Sequence, residues 1–405
     1  MANYDVTIVG GGPIGAAAAR SAAATGARTL LLEQRDGSGE PARCTGLVSP
    51  RTFDVLGVST ESLLREIRGG RLHSPGGKTL GLRSETTKAL VVDRGHLNRE
   101  LIQLAQTAGV ELRTHTQVIA AGSGYLTISH EEKRERIGST VIIGADGPRS
   151  AVASWFNLPS PTHFLTAHQA IVAGEPYAAD EVEIFFGSRV APGFFAWVVP
   201  AETGCLRIGL ASPPKTATDA LLPLFLAKHF PGRVLEHITG RIPLGFPMLT
   251  VGNGVLLVGD AAGQVKPTSG GGLYTGGVCA KIAGEVAGYV ALTGKATAEA
   301  LSLYEHRWRR EIGEELRAGL MIHRAFASLS DQEIDAIFTV LDDPAILHTI
   351  AENGDIDYPS RLIPSFLSHR HLWPRLLSFI PALGGWQRIE KLAQAAFAPN
   401  NCPPL

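Results

Sequence analysis

Tyr4-Asp5-Val6-Thr7-Ile8-Val9-Gly10-Gly11-Gly12-Pro13-Ile14-Gly15 decides the fold, read together with the alanine-rich run to Thr25 and with Arg28-Thr29-Leu30-Leu31-Leu32-Glu33. Residues 4–9 are apolar and rich in β-branched side chains, which predicts a short buried strand; residues 14–25 predict a helix and 28–33 a second strand. Such a βαβ unit has parallel strands and needs a sheet covered on both faces. The turn between strand and helix is a GxGxxG. Gly10 permits the tight turn, Gly12 lets backbone approach a pyrophosphate, and Gly15 lets the helix pack closely on the strand. The helix start then offers unpaired N–H groups and its positive dipole end to phosphates. Glu33 closes the second strand, 18 residues beyond Gly15, where a carboxylate can accept hydrogen bonds from ribose hydroxyls. A glycine turn with no ligand is the bland alternative. The flanking strands and the acid favour a dinucleotide site.

Outward from this unit, residues 95–108 predict another helix, and 140–144 (TVIIG) and 254–258 (GVLLV) two more buried strands. Between about 160 and 250 the pattern changes to short alternating runs, such as 181–186 and 205–211, broken by Pro and Gly. That reads as a β-rich insertion. From 272 to about 328 the chain reads as long helices. The expected division is a discontinuous dinucleotide-binding domain (1–70, 90–160 and 250–295), a β-rich substrate domain (71–89 and 161–249) and a C-terminal helical region (296–405).

The 405 residues carry 37 Lys plus Arg against 38 Asp plus Glu, so no global field favours nucleic acid. Cys44, Cys205, Cys279 and Cys402 are scattered without a CxxC pair, which argues against zinc and a disulfide framework. The histidines form no HxxxH or HExxH pair; His323, His369 and His371 read as structural or exposed, and no metal is expected. The chain enters its first strand at once, leaving no room for a signal peptide, and no apolar window reaches membrane-spanning length. The expected location is the cytoplasm. Residues 361–397 mix aromatic, aliphatic and basic residues around several prolines. They read either as an interfacial, membrane-touching segment or as plain packing over a cavity.

Two later segments carry a family resemblance. Residues 143–150 read Ile-Gly-Ala-Asp-Gly-Pro-Arg-Ser, and 259–272 read Gly-Asp-Ala-Ala-Gly-Gln-Val-Lys-Pro-Thr-Ser-Gly-Gly-Gly. GxGxxG, GADGxxS and GDAAGxxxP in this order resemble the flavoprotein monooxygenase superfamily, which includes halogenases and prenyl reductases; the resemblance spans residues 1–290. It implies an α/β fold of the para-hydroxybenzoate hydroxylase-like type: a Rossmann-like FAD-binding domain, an inserted β-rich substrate domain and a C-terminal helical region. It also implies FAD as cofactor, with Asp260 on the ribityl or ribose part.

Within that superfamily the chain resembles the geranylgeranyl reductase family. Lys266-Pro267-Thr268-Ser269-Gly270-Gly271-Gly272-Leu273-Tyr274 is similar to its flavin-facing loop, and Cys44-Thr45-Gly46-Leu47-Val48-Ser49-Pro50 to its cysteine loop. Pro192-Gly193-Phe194-Phe195-Ala196-Trp197-Val198-Val199-Pro200 is similar to its cavity motif P-x-x-Y-x-W-x-F-P, with Phe195 replacing Tyr and Val199 replacing Phe. Asp93-Arg94 opens a helix as in that family, so Arg94 is expected to pair with FAD phosphate.

The resemblance implies cofactor contacts at Gly10, Gly12, Pro13, Ile14, Gly15, Glu33, Gln34, Arg35, Arg43, Cys44, Thr45, Gly46, Arg94 and Val118. Ala145, Asp146, Gly147, Gly259, Asp260, Pro267, Gly270, Gly271, Gly272 and Leu273 complete the set. Substrate contacts are implied at Pro192, Phe195 and Trp197, with Cys44 and Tyr274 as candidate proton donors beside water. Each has a bland reading: Asp146-Gly147 as a common turn, Cys44 as a small buried hydrophobe, Trp197 as ordinary core.

The activity implied is saturation of isolated C=C bonds in a prenyl chain of a lipid or isoprenoid, with electrons from NAD(P)H, ferredoxin or another carrier. No second GxGxxG follows a strand, so no dedicated nicotinamide domain is expected. The alternatives are an FAD-dependent hydroxylase of an apolar or aromatic substrate and, in another class, a non-catalytic prenyl-binding protein. Halogenation ranks low: a WxWxxP motif would need Trp where Phe195 stands.

Overall fold

The structure, a computed structural model, describes residues 3–37, 44–214, 216, 218–362, 364–365 and 385–397. Strand Asn3–Val9 lies at the centre of the first sheet, parallel to Lys133–Gly144 on one side and to Thr29–Leu32 on the other. Glu111–Arg113 extends the sheet beyond Thr29–Leu32, and Val255–Leu257 extends it beyond Lys133–Gly144. The inner segments Leu30–Leu32, Val141–Ile143 and Val255–Leu257 are apolar and buried because both faces are covered there. Val6, Ile8, Leu31, Val141 and Ile143 face the helix Pro13–Ala23; Leu30, Ile142, Leu257, Leu126 and Ile128 fill the opposite face. The helix Leu273–Leu292 packs on Pro13–Ala23 at a separation only glycine allows: a Cβ on Gly284 would lie 2.3 Å from the Ala18 carbonyl oxygen.

The chain leaves this sheet twice to build a second one. Its strand order is Val234–Leu244, His163–Ala173, Cys205–Ser212, Ala196–Pro200, Glu181–Phe185, Gly69–His73 and Thr79–Arg83. All neighbours are antiparallel except Gly69–His73 with Glu181–Phe185. One face of it carries Phe194, Trp197, Val199 and Ala211, with Phe195, Ile242 and Ile356 against them. A small third sheet, of Leu47–Val48, Ala89–Val92 and Leu63–Ile67, bridges the two.

The long helical stretch is broken by a wider π-type turn, Arg309–Gly313, between Ala298–Trp308 and Glu314–Ala327. Helices Asp331–Leu341 and Pro344–Asn353 follow, each with a side-chain N-cap, Ser330 and Asp343. Trp386–Phe397 is helical, and Arg388 ties it to Glu333 and to the Ser328 carbonyl, while Trp386 is exposed. Most of the tail's proline-rich part, with His369 and His371, lies outside the described residues, as do Arg43 and Cys402. No helix among the described residues is long and apolar enough to cross a membrane.

Candidate active site

The GxGxxG turn is pinned by backbone. Gly10 has φ +107°, and a Cβ there would lie 2.5 Å from the Ala145 carbonyl oxygen; one on Gly15 would lie 1.9 Å from the Gly10 oxygen. The turn is thus wedged between the ends of strands Asn3–Val9 and Lys133–Gly144. Gly12 differs: a Cβ there would meet nothing within 4 Å. It is the N-cap of helix Pro13–Ala23 and supplies no side-chain cap, so that helix start opens onto empty space. Ile14 packs against both Gly259 and Gly276, which holds the GDAA turn and the start of helix Leu273–Leu292 beside the first turn. That second helix is also uncapped by any side chain, at Gly272.

Three polar groups line this space. Glu33 accepts from the Gly11 N–H at 2.7 Å and the Arg35 N–H at 2.9 Å, leaving lone pairs on both oxygens. Asp260 makes no protein hydrogen bond through its carboxylate among the described residues. Burial pushes it up to about 6, offset in part by the charge of Arg94. Arg94 is 8% exposed; its Nη2 donates to the Asn98 Oδ1 at 2.8 Å, and its Nε is buried without a partner. Two open helix starts, a carboxylate without a hydrogen-bond donor and an unpaired guanidinium N–H form a cradle whose open valences match a phosphate-bearing dinucleotide. Bound FAD would be held there by Gly12, Gly272, Glu33, Arg94 and Asp260.

Other expected contacts divide. Asp146 spends its carboxylate on the helix Ala151–Trp155, accepting from Ser150 Oγ at 2.6 Å and the N–H groups of Ala151 and Val152. Its carboxylate therefore caps that helix, and its place at the strand end beside Ala145 is where the expected cofactor contact would fall. Ala145 and Gly147 flank it at the strand end, and Val118 packs into the core of the first sheet. Gln34 and Arg35 are exposed on the rim beyond Glu33. Gly270 backs onto Ile242, Gly271 onto Lys266, and Gly272 onto Asp260. Leu273 and Tyr274 are buried at the helix start.

The three segments that resemble the prenyl-reductase loops are joined through shared neighbours. Trp197, Gly209 and Gln169 lie in one row across three adjacent strands. The indole crosses the glycine, whose Cβ would come within 2.5 Å of it, and donates to Gln169 Oε1 at 3.1 Å. The same oxygen accepts from Thr45 Oγ1 at 2.7 Å, which ties the cysteine loop to the tryptophan. Indole N–H only donates, so Oε1 is fixed as the shared acceptor, and the buried Nε2 is left unpaired. Arg207 reinforces the join, donating to the Thr45 carbonyl at 2.8 Å and the Val92 carbonyl at 3.0 Å. Cys44 is half-buried, its Sγ accepting from the Gly46 N–H at 3.4 Å.

Helix Glu314–Ala327 links the flavin-facing loop to the aromatic motif. Gly319 sits against Pro267, and one turn later the buried His323 lies 5.7 Å from the Phe194 ring. Burial, with the charge of Arg324, holds His323 down to about 4, which favours the neutral ring near pH 7. Phe195 stacks on Phe194 at 4.1 Å and meets Trp197 edge-on, while Pro192 is half-buried at the turn before them. The sequence reading missed a strap that covers this junction. Asp357 is buried and pairs with Lys266 at 2.6 Å, Tyr358 shares a 2.8 Å hydrogen bond with Tyr274, and Asp355 pairs with Arg51. Burial and the Tyr358 hydroxyl raise the Tyr274 hydroxyl well above its ordinary range, so it stays protonated. Among the described residues no group of three or more His, Cys, Asp or Glu is placed to hold a metal ion.

Gly209→Ala tests the row directly. The methyl would displace the indole and break its bond to Gln169, so tryptophan emission should shift to the red. Stability should fall by about 1–3 kcal/mol, the usual cost of overpacking. Unchanged emission would mean that Trp197 does not lie across Gly209.

An FAD binding domain family matches residues 3–183. The chain is 32% identical to digeranylgeranylglycerophospholipid reductase 1 of Methanococcoides burtonii, over 84% of this chain and 88% of the relative. It is 31% identical to digeranylgeranylglycerophospholipid reductase 2 of Methanothermobacter thermautotrophicus, over 89% and 98%. Among solved structures it is similar to a geranylgeranyl bacteriochlorophyll reductase-like protein from Thermoplasma acidophilum, with TM-score 0.80 and 23% identity, covering 94% of this chain and all of that one. It is also similar to p-nitrophenol 4-monooxygenase from Pseudomonas putida, with TM-score 0.69 and 19% identity, covering 92% and 99%. The fold is therefore the hydroxylase-like one expected from the motifs, and the cofactor is FAD.

Proposed function

Because the chain belongs to the digeranylgeranylglycerophospholipid reductase family of FAD-dependent oxidoreductases, we propose that it saturates isolated C=C bonds in the prenyl chains of a lipid. The observation that carries this reading is the Thr45–Gln169–Trp197 junction, which fastens the cysteine loop to the aromatic cluster of Phe194, Phe195 and Trp197. FAD held by Gly12, Gly272, Glu33, Arg94 and Asp260 would supply hydride chemistry here, and the alkene, a poor acceptor, must be held in place and kept dry.

The chain's own residues do the rest. Phe194, Phe195, Trp197, Ile242 and Ile356 form an apolar wall suited to a hydrocarbon chain. The faces of Trp197 and Phe195 stabilise positive character that develops on the more substituted carbon. Lys266, locked by Asp357, and Tyr274, locked by Tyr358, fix the flavin-facing loop. The second carbon needs a proton. Cys44, Tyr274 and water are the candidate donors, and of the two side chains Cys44 is the one to test first, because the Tyr274 hydroxyl is already engaged with Tyr358.

Dithionite-reduced protein incubated without oxygen with a geranylgeranyl lipid tests the reading. The expected product is heavier by one H2 for each bond saturated. Recovery of unchanged lipid here, with an oxygenated product in air, would transfer the protein to the hydroxylases.

A further inference from the structure

A cleft of about 350 Å³ opens beside the strap, lined by Ser49–Arg51, by Thr86–Lys88 and by Glu352–Ile356. Its inner wall is shared: Ile356 lines it and also packs against the cluster of Phe195 and Trp197. A ligand in the cleft would thus meet polar groups at the mouth, with Ile356 and the aromatic cluster behind them. We propose that this cleft takes the phosphate ester head of the prenyl lipid, an inference that rests on the reductase reading.

Three cations are grouped here: Arg51 and Lys88 in the lining, and Arg361 beside it. Arg51 and Arg361 are both held by Asp355, at 2.9 and 3.7 Å, and both lie over the Tyr358 ring, at 5.6 and 4.0 Å. Asp355 is itself fixed by the N–H groups of Asp357 and Tyr358. Burial opposes its ionisation, but Arg51 and those N–H donors outweigh burial and hold the carboxyl below its ordinary range. The carboxylate therefore acts as a permanent clamp. It offsets part of the positive field, yet it orders two guanidiniums that would otherwise be mobile. Both keep donors to spare: Arg51 meets its acids through Nη1 alone, and both arginine side chains are about half exposed, 46% and 59%. Lys88 Nζ donates once, to the Glu352 carbonyl at 2.7 Å, and has two further protons. Asp357 adds no net charge, being paired with Lys266. With Glu352 and Asp355 as the acids, three cations face two anions. A pre-ordered arginine pair with a lysine is a setting for a phosphate monoester or diester.

Binding to the FAD-loaded protein decides the matter without requiring turnover. Geranylgeranyl phosphate and geranylgeraniol share one chain and differ only in the phosphate. Tryptophan-emission titrations would give Kd for both on the wild type, Arg51→Gln and Lys88→Gln, with FAD content confirming that each variant is folded. The proposal expects the preference for the phosphate to fall roughly tenfold in either variant, the loss of one charge-assisted contact. Inorganic phosphate should compete only far more weakly than the prenyl phosphate. A preference unchanged in both variants would overturn the proposal, and so would inorganic phosphate binding as tightly as the lipid, which would mark a free-phosphate site. Reduction assays on the wild type report separately on the reductase reading: if neither lipid is reduced, that reading fails whatever the binding shows.

Discussion

Gly15→Ala should yield a protein that is strongly destabilised and retains no FAD. The added Cβ would lie 1.9 Å from the Gly10 carbonyl oxygen and 3.3 Å from the Ala145 Cβ. The first of these is backbone, and Gly10 cannot retreat because it already lies against the Ala145 carbonyl. Relief therefore requires the helix Pro13–Ala23 to move off its strand, which uncovers Ala16, Ala19 and Ile8, all fully buried. We expect a loss of at least about 3 kcal/mol, the upper end for overpacking in a rigid core. Gly12→Ala is the paired control. Its Cβ meets nothing within 4 Å, so apoprotein melting should be close to wild type while FAD affinity falls. Equal FAD affinity in Gly12→Ala and the wild type would contradict the placement of the nucleotide over this helix start.

Asp260→Asn should move stability and FAD binding in opposite directions. The Asp260 carboxyl is raised from 3.8 to about 6, chiefly by desolvation. A raised acid binds its proton more tightly in the folded state than in the unfolded one. Its contribution to stability is complete below about pH 4 and is lost as pH rises to 6 and beyond. At pH 7 the ionised residue destabilises the apoprotein by up to about 3 kcal/mol, and by less where solvent reaches it. Asparagine removes that cost, so the apo variant should melt higher than wild type at pH 7, with the gap closing near pH 4. FAD should bind roughly 10- to 100-fold more weakly, because a neutral amide oxygen accepts hydroxyls less strongly than a carboxylate. Wild-type FAD affinity should also rise as pH increases through 6, since the ionised acid is the better acceptor. Thermal melts of apo and FAD-loaded protein at pH 4.5 and 7 check all three statements. A variant that is less stable without FAD at pH 7 would show that Asp260 is a structural acid.

The first sheet was legible because local chemistry specified it. Asn3–Val9, Pro13–Ala23 and Thr29–Leu32 match the predicted runs within one or two residues, and Arg94–Thr107 starts at the arginine that Asp93 caps. The flavin turns were equally legible, since tight turns and close backbone approaches leave glycine no substitute. Asp146 shows a use the motif did not announce: its carboxylate caps a helix five residues on. The junction residues had weaker signals. Gly209 interrupts a strand that is apolar from Leu206 to Ala211 apart from Arg207, which marks a close approach but not its tryptophan partner. Gln169, Asp357 and Tyr358 had none. Gln169 is 124 residues from Thr45, and Asp357 is 91 from Lys266. Only the folding of the second sheet and the strap brings them together.

Anaerobic stopped-flow absorbance of the dithionite-reduced flavoprotein, mixed with a geranylgeranyl lipid, tests the central claim most directly. The account predicts that oxidised-flavin absorbance returns without oxygen, at a rate that rises and saturates with lipid concentration. It also predicts that a saturated phytanyl lipid of the same head group produces no return. Flavin that stays reduced at every lipid concentration, yet reoxidises on admitting air, would contradict it.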